Sequence, residues 1–476
     1  MGLTNSILKP VADLVVARSV RQQKGSRLRD PSLWGARVDE RGHLGIDGVA
    51  LAEVVSRFGS PALVVGRSTL LADAMRVRDA CATAGYPVRP YYSYKTNCIP
   101  GILREIHALG LGAEVISPYE LWLAERLGVP GDAIIYNGVN KSADSLKRAV
   151  EIGVFSLNVD HLGEVDLVRA LAEKAGRRLR VGVRLRLLPE SHFGLSLTDG
   201  EAMAAVERIL GAPRWLELQS VHFHLVAAAR NSALHRRLTL AALEFIAQVR
   251  DRHGVRVPCL DVGGGFGVPT SGVMSRGAYA MQRLFTVPGR PPDPADHVSF
   301  EDYLRDLVAT VRAFVARRGI EAPTMIIEPG RVITSRAEIL VSRVHTIKRN
   351  RSEPHFALTD AGRVLIAYPC DYEYHQIFVA NRMRAPLQER YNLMGRLCTT
   401  ADWLARNRLL PSLSEGDTIA VMDAGAYFSS YASNFAFPRP AIVMAEGGRT
   451  EVLRSEESFE HLCAMDHLED RESSRR

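Results

Sequence analysis

Lys95 lies at the end of a predicted β-strand, in the stretch Tyr91-Tyr92-Ser93-Tyr94-Lys95-Thr96-Asn97. The tyrosines favour a strand, and the carboxyl ends of barrel or doubly wound strands are where the active sites of such folds lie. A lysine held there can lose its proton and form a Schiff base with a carbonyl compound. Taken alone, the pattern is also typical of a solvated surface lysine, so other motifs must decide between the two interpretations.

Four later stretches carry residue types suited to chemistry. They are Asp261-Val262-Gly263-Gly264-Gly265-Phe266, Glu328-Pro329-Gly330-Arg331, Leu397-Cys398-Thr399-Thr400-Ala401-Asp402 and Asp423-Ala424-Gly425-Ala426-Tyr427. A glycine run after a strand can expose backbone N–H groups that hold a phosphate, and a thiol can act as a general acid. Each stretch alone also has a structural interpretation, such as a turn, an ion pair at a barrel rim or a small buried hydrophobe.

Together with Lys95 and in this order, the stretches resemble the fold-type III pyridoxal-phosphate decarboxylases. This is the group of diaminopimelate and ornithine decarboxylases, and the chain is similar to its diaminopimelate branch. The resemblance runs from about Pro61 to Met444. It implies an enzyme that uses pyridoxal 5'-phosphate to remove the α-carboxylate of an amino acid, and that works as a homodimer with shared active sites.

The resemblance also implies a role for individual residues. Lys95 matches the lysine that forms the Schiff base with the cofactor, and Glu328 matches the glutamate that pairs with the pyridinium nitrogen. His224 matches the histidine that stacks on the cofactor ring, and Cys398 matches a cysteine that the partner subunit supplies as proton donor to Cα. The other cofactor-binding residues that it implies are Glu114, Arg186, Gly263, Gly264, Gly265, Pro329, Gly330, Arg331 and Tyr427. It implies no metal.

The chain departs from the family pattern after His224, where it has Leu225-Val226-Ala227. The family usually has an aliphatic residue, a glycine and a serine there, and the serine binds phosphate. One phosphate contact is therefore missing or supplied elsewhere. His192 likewise replaces the usual lysine of a Lys-Phe-Gly-like turn.

Substrate choice depends on the stretch around Cys398. In the family an acidic residue follows this cysteine and receives the distal ammonium of the substrate, but here the residue is Thr399. A hydroxyl cannot neutralise that cation, and an unpaired buried charge is costly. We therefore expect a substrate whose far end is neutral or anionic: an amino acid joined to an acyl-carrier protein, to a citrate-type acid or to another acyl group. The candidate substrate residues are Arg363, Arg396, Thr399 and Asp402.

Three other functions stay open. The first is a genuine meso-diaminopimelate decarboxylase that gives L-lysine. The second is an amino-acid racemase, which shares the barrel and the lysine-bound cofactor but typically has arginine as the partner of the ring nitrogen. The third is a catalytically inactive regulatory homologue, which the presence of Lys95 and Cys398 disfavours.

A regular alternation of strands and helices must position these residues. Strands are predicted near residues 88–92, 113–116, 134–136, 155–158, 179–187, 216–224, 257–261 and 325–328, with a helix between successive strands. About eight such units favour an α/β fold of the (β/α)₈ barrel type over a doubly wound sheet. Mostly β segments follow Arg331, and they predict a second, mostly β domain that resembles a β-barrel.

The predicted domain organisation has five parts. They are a basic leader at 1–30 that is a loose helix or disordered, an N-terminal segment of the β domain at 31–65, the cofactor-binding barrel at 66–331, the C-terminal β domain at 332–464 and a disordered tail at 465–476. The barrel carries an insert at 267–300 whose five prolines disfavour regular structure. Such an insert is either a lid or substrate loop, or a disordered segment.

Composition excludes several other classes of protein. The 476 residues are 46% hydrophobic and 24% charged, and the net charge of +7 is spread along the chain, which favours a solvated surface over a nucleic-acid partner. No apolar run reaches membrane-spanning length. The six cysteines form no CxxC pair. A reduced, cytoplasmic protein without a membrane partner is expected.

Overall fold

The computed structural model describes residues 14–188, 190–225, 228–366 and 372–467. The start of the predicted leader (1–13), Val226 and Ala227, and the end of the predicted tail (468–476) lie outside the described residues. The chain divides into two compact units. The first comprises the described residues within Met1–Leu70, Thr270–Pro294 and Ser335–Arg476, and the second comprises those within Leu71–Pro269 and Ala295–Thr334.

The second unit is built on eight parallel strands. In chain order they are β1 (Val88–Ser93), β2 (Gly112–Val115), β3 (Ile134–Tyr136), β4 (Ser156–Val159), β5 (Leu179–Arg186), β6 (Leu216–His222), β7 (Cys259–Asp261) and β8 (Thr324–Ile327). Each strand pairs with its neighbours, and the sheet closes because β8 also pairs with β1. This closure confirms the predicted (β/α)₈ barrel and excludes the doubly wound sheet, which has two open edges.

Helices connect the barrel strands as the alternation predicts. They are Pro100–Ala108, Pro118–Arg126, Ala143–Ile152, Leu162–Ala175, Glu201–Leu210, Ala233–His253 and Phe300–Arg318, with Arg67–Ala82 before β1 and the short Arg331–Thr334 after β8. Ser117, Ser142 and Ser299 cap the first turns of three helices with their side-chain oxygens. Because all eight strands are parallel, their carboxyl ends share one end of the barrel, and the residues that follow them converge there.

The first unit is mostly β, as predicted. Its largest sheet contains the strands Ala62–Gly66, Glu338–Lys348, His355–Thr359, Ile377–Val379, Glu389–Met394, Trp403–Leu410, Thr418–Val421, Ala441–Glu446 and Arg449–Arg454. Smaller sheets contain Ala36–Val38, Leu44–Ile46 and Val49–Ala50, and Gly272–Val273 with Glu373–Tyr374. Its helices of eight residues or more are 14–24, Leu51–Phe58 and Arg276–Phe285, and shorter ones are Arg363–Ile366, Phe428–Tyr431 and Phe459–Leu462. Among the described residues no helix is long and apolar enough to cross a membrane.

The segment predicted to lack regular structure contains a helix at Arg276–Phe285, so that prediction is wrong. Ser275 caps the first turn by accepting the N–H of Ala278. The five prolines at 269, 288, 291, 292 and 294 all lie outside the helix. Proline disfavours only the helical turn that contains it, so the ten residues Arg276–Phe285, which lie within the proline-free stretch between Pro269 and Pro288, are free to form a helix.

Asp423 ties together distant segments of the first unit. Its buried Oδ2 accepts the indole N–H of Trp34 at 2.8 Å. Its Oδ1 accepts the hydroxyls of Thr270 and Ser335 at 2.7 and 3.1 Å. Asp423 itself has a left-handed backbone (φ 61°), and so has Tyr427 (φ 71°) further along the same loop. Side-chain bonds from three segments therefore stabilise a loop conformation that L-residues rarely adopt.

We predict that Asp423→Asn lowers the free energy of unfolding by about 1–3 kcal/mol, because an amide nitrogen replaces one acceptor oxygen and leaves a buried donor unpaired. Asparagine tolerates the left-handed backbone, so the change isolates the hydrogen bonds. Urea denaturation measures the effect, with Asp79→Asn on an exposed helix surface as control. Combining Asp423→Asn with Trp34→Phe should cost less than the sum of the two single changes. Strict additivity would contradict the proposed bond.

Candidate active site

Lys95 lies in a short turn, Tyr94–Thr96, directly after β1. Its Nζ is 2.8 Å from Oε2 of Glu114, and its side chain keeps 23% of its surface exposed. Glu114 lies near the end of β2 and is fully buried, and Ser93 Oγ donates to the same oxygen at 2.5 Å. A buried carboxylate thus holds the amino group of Lys95 at the carboxyl end of the barrel. A solvated surface lysine would have no such buried partner.

Glu328, the residue directly after β8, is the second buried carboxylate. Nδ1 of His224 is 2.8 Å from its Oε2, Nε2 of His222 is 3.3 Å from its Oε1, and Asn137 Nδ2 donates to that Oε1 at 2.6 Å. Burial by itself raises the pKa of Glu328, but the histidines and Lys95 outweigh it and hold the pKa well below its usual range. The buried glutamate is therefore ionised.

Asp261 ends β7 and is a third buried carboxyl group. Burial, and then the charge of Glu328, raise its pKa well above the usual range for aspartate. Its Oδ1 accepts the N–H of Gly263 at 2.9 Å. Neighbouring carboxyls that cannot both ionise in a buried site divide into one charged and one protonated group, and here Glu328 carries the charge.

The glycine run follows β7, as predicted. Gly263 and Gly265 have left-handed backbones, with φ of 68° and 89°. A Cβ on Gly264 would lie 2.4 Å from the carbonyl oxygen of Glu328, so only glycine lets the two strand ends approach this closely. A Cβ on Gly330 would lie 2.1 Å from the hydroxyl of Thr96, next to Lys95. The glycines therefore bring the loops after β1, β7 and β8 into contact.

Two predicted arginines differ in their surroundings. Arg331 begins the short helix after Gly330 and is buried. Arg186 ends β5 at the partly exposed rim, where its guanidinium is 3.5 Å from Asp199 and 3.6 Å from Glu201. Their roles toward the cofactor stay predictions.

The remaining predicted residues belong to the first unit. Asp402 is buried, and its two oxygens accept the backbone N–H groups of Arg363 and Leu397, each at 2.6 Å. Its carboxylate therefore shapes the loop that presents Cys398, whose side chain is exposed. Thr399 is also exposed.

Arg396 lies over an aromatic ring, with its guanidinium carbon 3.9 Å from the centre of Phe437. Burial lowers the pKa of this guanidinium. Arg363 begins a short helix, Arg363–Ile366, and Tyr427 precedes the helix Phe428–Tyr431. The roles of these residues toward substrate or cofactor stay predictions.

Three residues that contact the site had no predicted role: Asn137, His222 and Asp261. Each ends or directly follows a barrel strand, and this position was the available signal. A polar residue at such a position predicts proximity to the site, but the sequence does not show which carboxylate it contacts.

The donor set fits pyridoxal 5'-phosphate. Lys95 offers an amine, Glu328 offers an ionised carboxylate for a ring N–H, and the loop after β7 has no room for side chains on Gly263 and Gly264. Among the described residues, the ligand atoms of His222, His224 and Glu328 also lie within 4.8 Å of one another, so this group alone is compatible with a metal ion. The lysine beside Glu114 favours the organic cofactor, because a metal site has no use for an amine that forms a Schiff base.

A closed parallel barrel with a lysine and an ionised glutamate at its carboxyl end defines a class of pyridoxal-phosphate enzymes. Residues 71–335 match the family model for the pyridoxal binding domain of the pyridoxal-dependent decarboxylases. The match covers more than half of the chain, which therefore belongs to this family and uses pyridoxal phosphate.

Individual relatives are similar over most of their length. The diaminopimelate decarboxylase of Pseudomonas aeruginosa is 30% identical over 444 residues, which cover 89% of this chain and 96% of the relative. That of Methanothermobacter thermautotrophicus is 29% identical over 436 residues, which cover 89% and 96%. The crystal structure of diaminopimelate decarboxylase from M. jannaschii in co-complex with L-lysine superposes with a TM-score of 0.79 at 25% identity, and the match covers 91% of this chain and 98% of that chain.

We predict that Glu120→Gln stabilises the protein at pH 8 but not at pH 5. Burial raises the pKa of Glu120 to about 7, against the backbone bond from Ile116 N–H that lowers it. Because the pKa of this carboxyl is higher in the folded state, the free energy of unfolding falls as the pH rises from about 4.5 to 7. Glutamine does not titrate and so removes this loss. We expect a gain of about 1–3 kcal/mol above pH 7.

Urea denaturation at several pH values measures this difference. Glu173→Gln, on an exposed helix surface, is the control and should follow the wild type at every pH. Parallel stability curves for Glu120→Gln and wild type between pH 5 and pH 8 would contradict the prediction.

Proposed function

We propose that this pyridoxal-phosphate decarboxylase acts on meso-diaminopimelate and gives L-lysine and carbon dioxide. The buried, ionised Glu328 beside the Lys95–Glu114 pair carries the proposed chemistry. The similarity to diaminopimelate decarboxylases along nearly the whole chain supports the substrate. It outweighs the expectation of an acylated substrate, which rests mainly on Thr399 in place of an acid and also on Arg396 in place of the usual proline.

Lys95 and Glu328 act on two different nitrogens: Lys95 supplies the amine that binds the cofactor, and Glu328 faces the ring nitrogen of the cofactor. When bound, the cofactor supplies an electron sink for the electron pair that the departing carboxylate leaves behind. Glu328 keeps a proton on the ring nitrogen by offering an ionised acceptor, and its histidine and asparagine partners stop it from taking that proton. Glu114 holds the Lys95 nitrogen at 2.8 Å and stabilises its positive charge. Gly265 and Arg331 supply donors for the phosphate, because the N–H groups of Gly263 and Gly264 are bound to Asp261 and His224.

Cys398 is the proposed proton donor to Cα. Its side chain is exposed in the chain described here, which suits a thiol that acts on a second copy of the protein. Asp402 holds the surrounding loop through two backbone N–H groups and so fixes the position of the thiol. The proposed active enzyme is accordingly a homodimer with shared active sites.

Thr399 favours a second candidate function, decarboxylation of an acylated or otherwise modified amino acid. It occupies the position after Cys398, where the family pattern has an acidic residue for the distal ammonium of the substrate. A neutral or anionic far end would need no such acid. A carrier protein is among the partners that this candidate allows.

We predict that purified, cofactor-loaded protein releases carbon dioxide from meso-diaminopimelate and forms one equivalent of L-lysine, and that this activity depends on Lys95. Lys95→Ala should show no activity above the uncatalysed rate, because it lacks the amine that binds the cofactor covalently. Mass spectrometry of the product also separates decarboxylation, which removes the mass of carbon dioxide, from racemisation, which leaves the mass unchanged.

The contrary result is silence toward meso-diaminopimelate by protein that holds the cofactor through Lys95. Thr399→Glu then separates the two candidates. If the variant gains activity on meso-diaminopimelate that the wild type lacks, the natural substrate has a neutral or anionic far end. If the wild type is already active and the glutamate does not lower its KM, the second candidate is wrong.

We predict that mixed dimers restore activity lost in two single variants. Cys398→Ala should lower kcat about 10²-fold, because it removes a general acid, and Lys95→Ala should abolish it. Coexpressed, the two variant chains form one site with both residues intact if the thiol comes from the other subunit. Activity should then exceed that of either variant alone. Failure of tagged, purified mixed dimers to recover activity would contradict a shared site.

A further inference from the structure

Asn137, directly after β3, contacts both carboxylates of the site. Its Nδ2 donates to Glu114 Oε1 at 2.9 Å and to Glu328 Oε1 at 2.6 Å. The side chain is buried, so water does not compete for these bonds. One amide nitrogen has two hydrogens, and here each serves a different carboxylate. Asn137 is therefore placed between the acid that holds Lys95 and the acid that holds the ring nitrogen.

Neighbouring groups fix which way this amide points. Asn158 Nδ2 donates to Asn137 Oδ1 at 2.8 Å. Asn158 Oδ1 in turn accepts the hydroxyls of Ser156 at 3.0 Å and Ser220 at 2.9 Å. An ionised carboxylate only accepts hydrogen bonds, so the nitrogen of Asn137 must face Glu114 and Glu328. The oxygen of Asn137 then faces the nitrogen of Asn158, and the oxygen of Asn158 faces the serine hydroxyls, which can donate.

The barrel makes room for this chain of amides. A Cβ on Gly182, in the middle of β5, would lie 1.8 Å from Asn158 Oδ1 and 2.2 Å from Ser220 Oγ. Only glycine fits at this point of the strand.

A buried lysine anchors the loop that follows Asn137. Lys141 Nζ donates to the carbonyl oxygens of Gly138 at 3.0 Å and Asn158 at 2.9 Å, and to Glu164 at 2.9 Å. These bonds tie the residue after Asn137 to Asn158. The position of Asn137 is thus held from its backbone and from its side chain.

We propose that Asn137 is a positioning residue that couples the charge of Glu114 to that of Glu328, so that the proton of the Lys95 nitrogen and the proton of the cofactor ring nitrogen are stabilised together. The proposal rests on the pyridoxal-phosphate chemistry of the proposed function but not on its substrate. Without the amide, two buried carboxylates would each lose a donor, and one would bind a proton more readily. The Lys95 nitrogen would then lose part of its counter-charge.

The test is a pH titration of the absorbance of the lysine-bound cofactor, with no substrate present. Asn137→Leu removes both donors at similar size, and its titration midpoint should fall by about one pH unit or more. Asn137→Ser keeps one hydroxyl donor, and its midpoint should fall by less. Asn140→Leu and Asn140→Ser are matched controls in the same loop, because Asn140 is exposed, and they should titrate like the wild type.

Activity is a second readout. Both Asn137 variants should lower kcat, by about 10²-fold for leucine, with a smaller change in KM, since the bonds act on the reacting groups rather than on substrate binding. If Asn137→Leu does not fold, the serine variant decides the question alone. A midpoint equal to that of the wild type in a folded Asn137 variant, or an equal shift in the Asn140 controls, would overturn the proposal. Because the titration needs only bound cofactor, it stays decisive even if no decarboxylation is found.

Discussion

The site depends on one buried charge, the carboxylate of Glu328. A carboxylate far from water is costly unless polar partners surround it; Glu328 is hydrogen-bonded to His224 and Asn137, and His222 lies 3.3 Å away. These neighbours keep the charge on Glu328 although Asp261 lies close enough to compete for it. An ionised acceptor at this position is what a protonated ring nitrogen requires, so the chemistry of the family follows from how this charge is held.

The closed barrel makes that arrangement possible. Glu328 follows β8, its histidine partners end or follow β6, Asn137 follows β3, and Lys95 follows β1. These residues are distant in the chain, and they meet because eight parallel strands place their carboxyl ends at one end of the barrel. Glycines let the strand ends approach, since side chains on Gly264 or Gly330 would overlap neighbouring atoms. Binding of a rigid, flat cofactor needs such fixed distances, which a set of mobile loops would not supply.

Much of this fold could be predicted from the sequence. Each barrel strand is a short apolar run and each helix a longer periodic one, so their existence and order were readable, and their observed bounds differ by only a few residues. Lys95, Glu114, His224 and Glu328 were found because ordered motifs carried them.

Asn137 and His222 were not found, because a polar residue at a strand end looks the same in the sequence whether it binds water or a carboxylate. The helix Arg276–Phe285 was missed because the prolines on either side were given more weight than the proline-free stretch that contains its ten residues. Thr399 alone does not predict the substrate, because a single exposed hydroxyl does not define a pocket.

Ionised Glu328 is expected to keep the ring nitrogen of the bound cofactor protonated. Nitrogen-15 NMR of the enzyme reconstituted with pyridoxal phosphate labelled at the ring nitrogen tests this most directly. We expect the chemical shift of a protonated ring nitrogen in the wild type at neutral pH, and that of an unprotonated nitrogen in Glu328→Gln, which still binds the cofactor through Lys95. An unprotonated nitrogen in the wild type, or the same shift in both proteins, would contradict it.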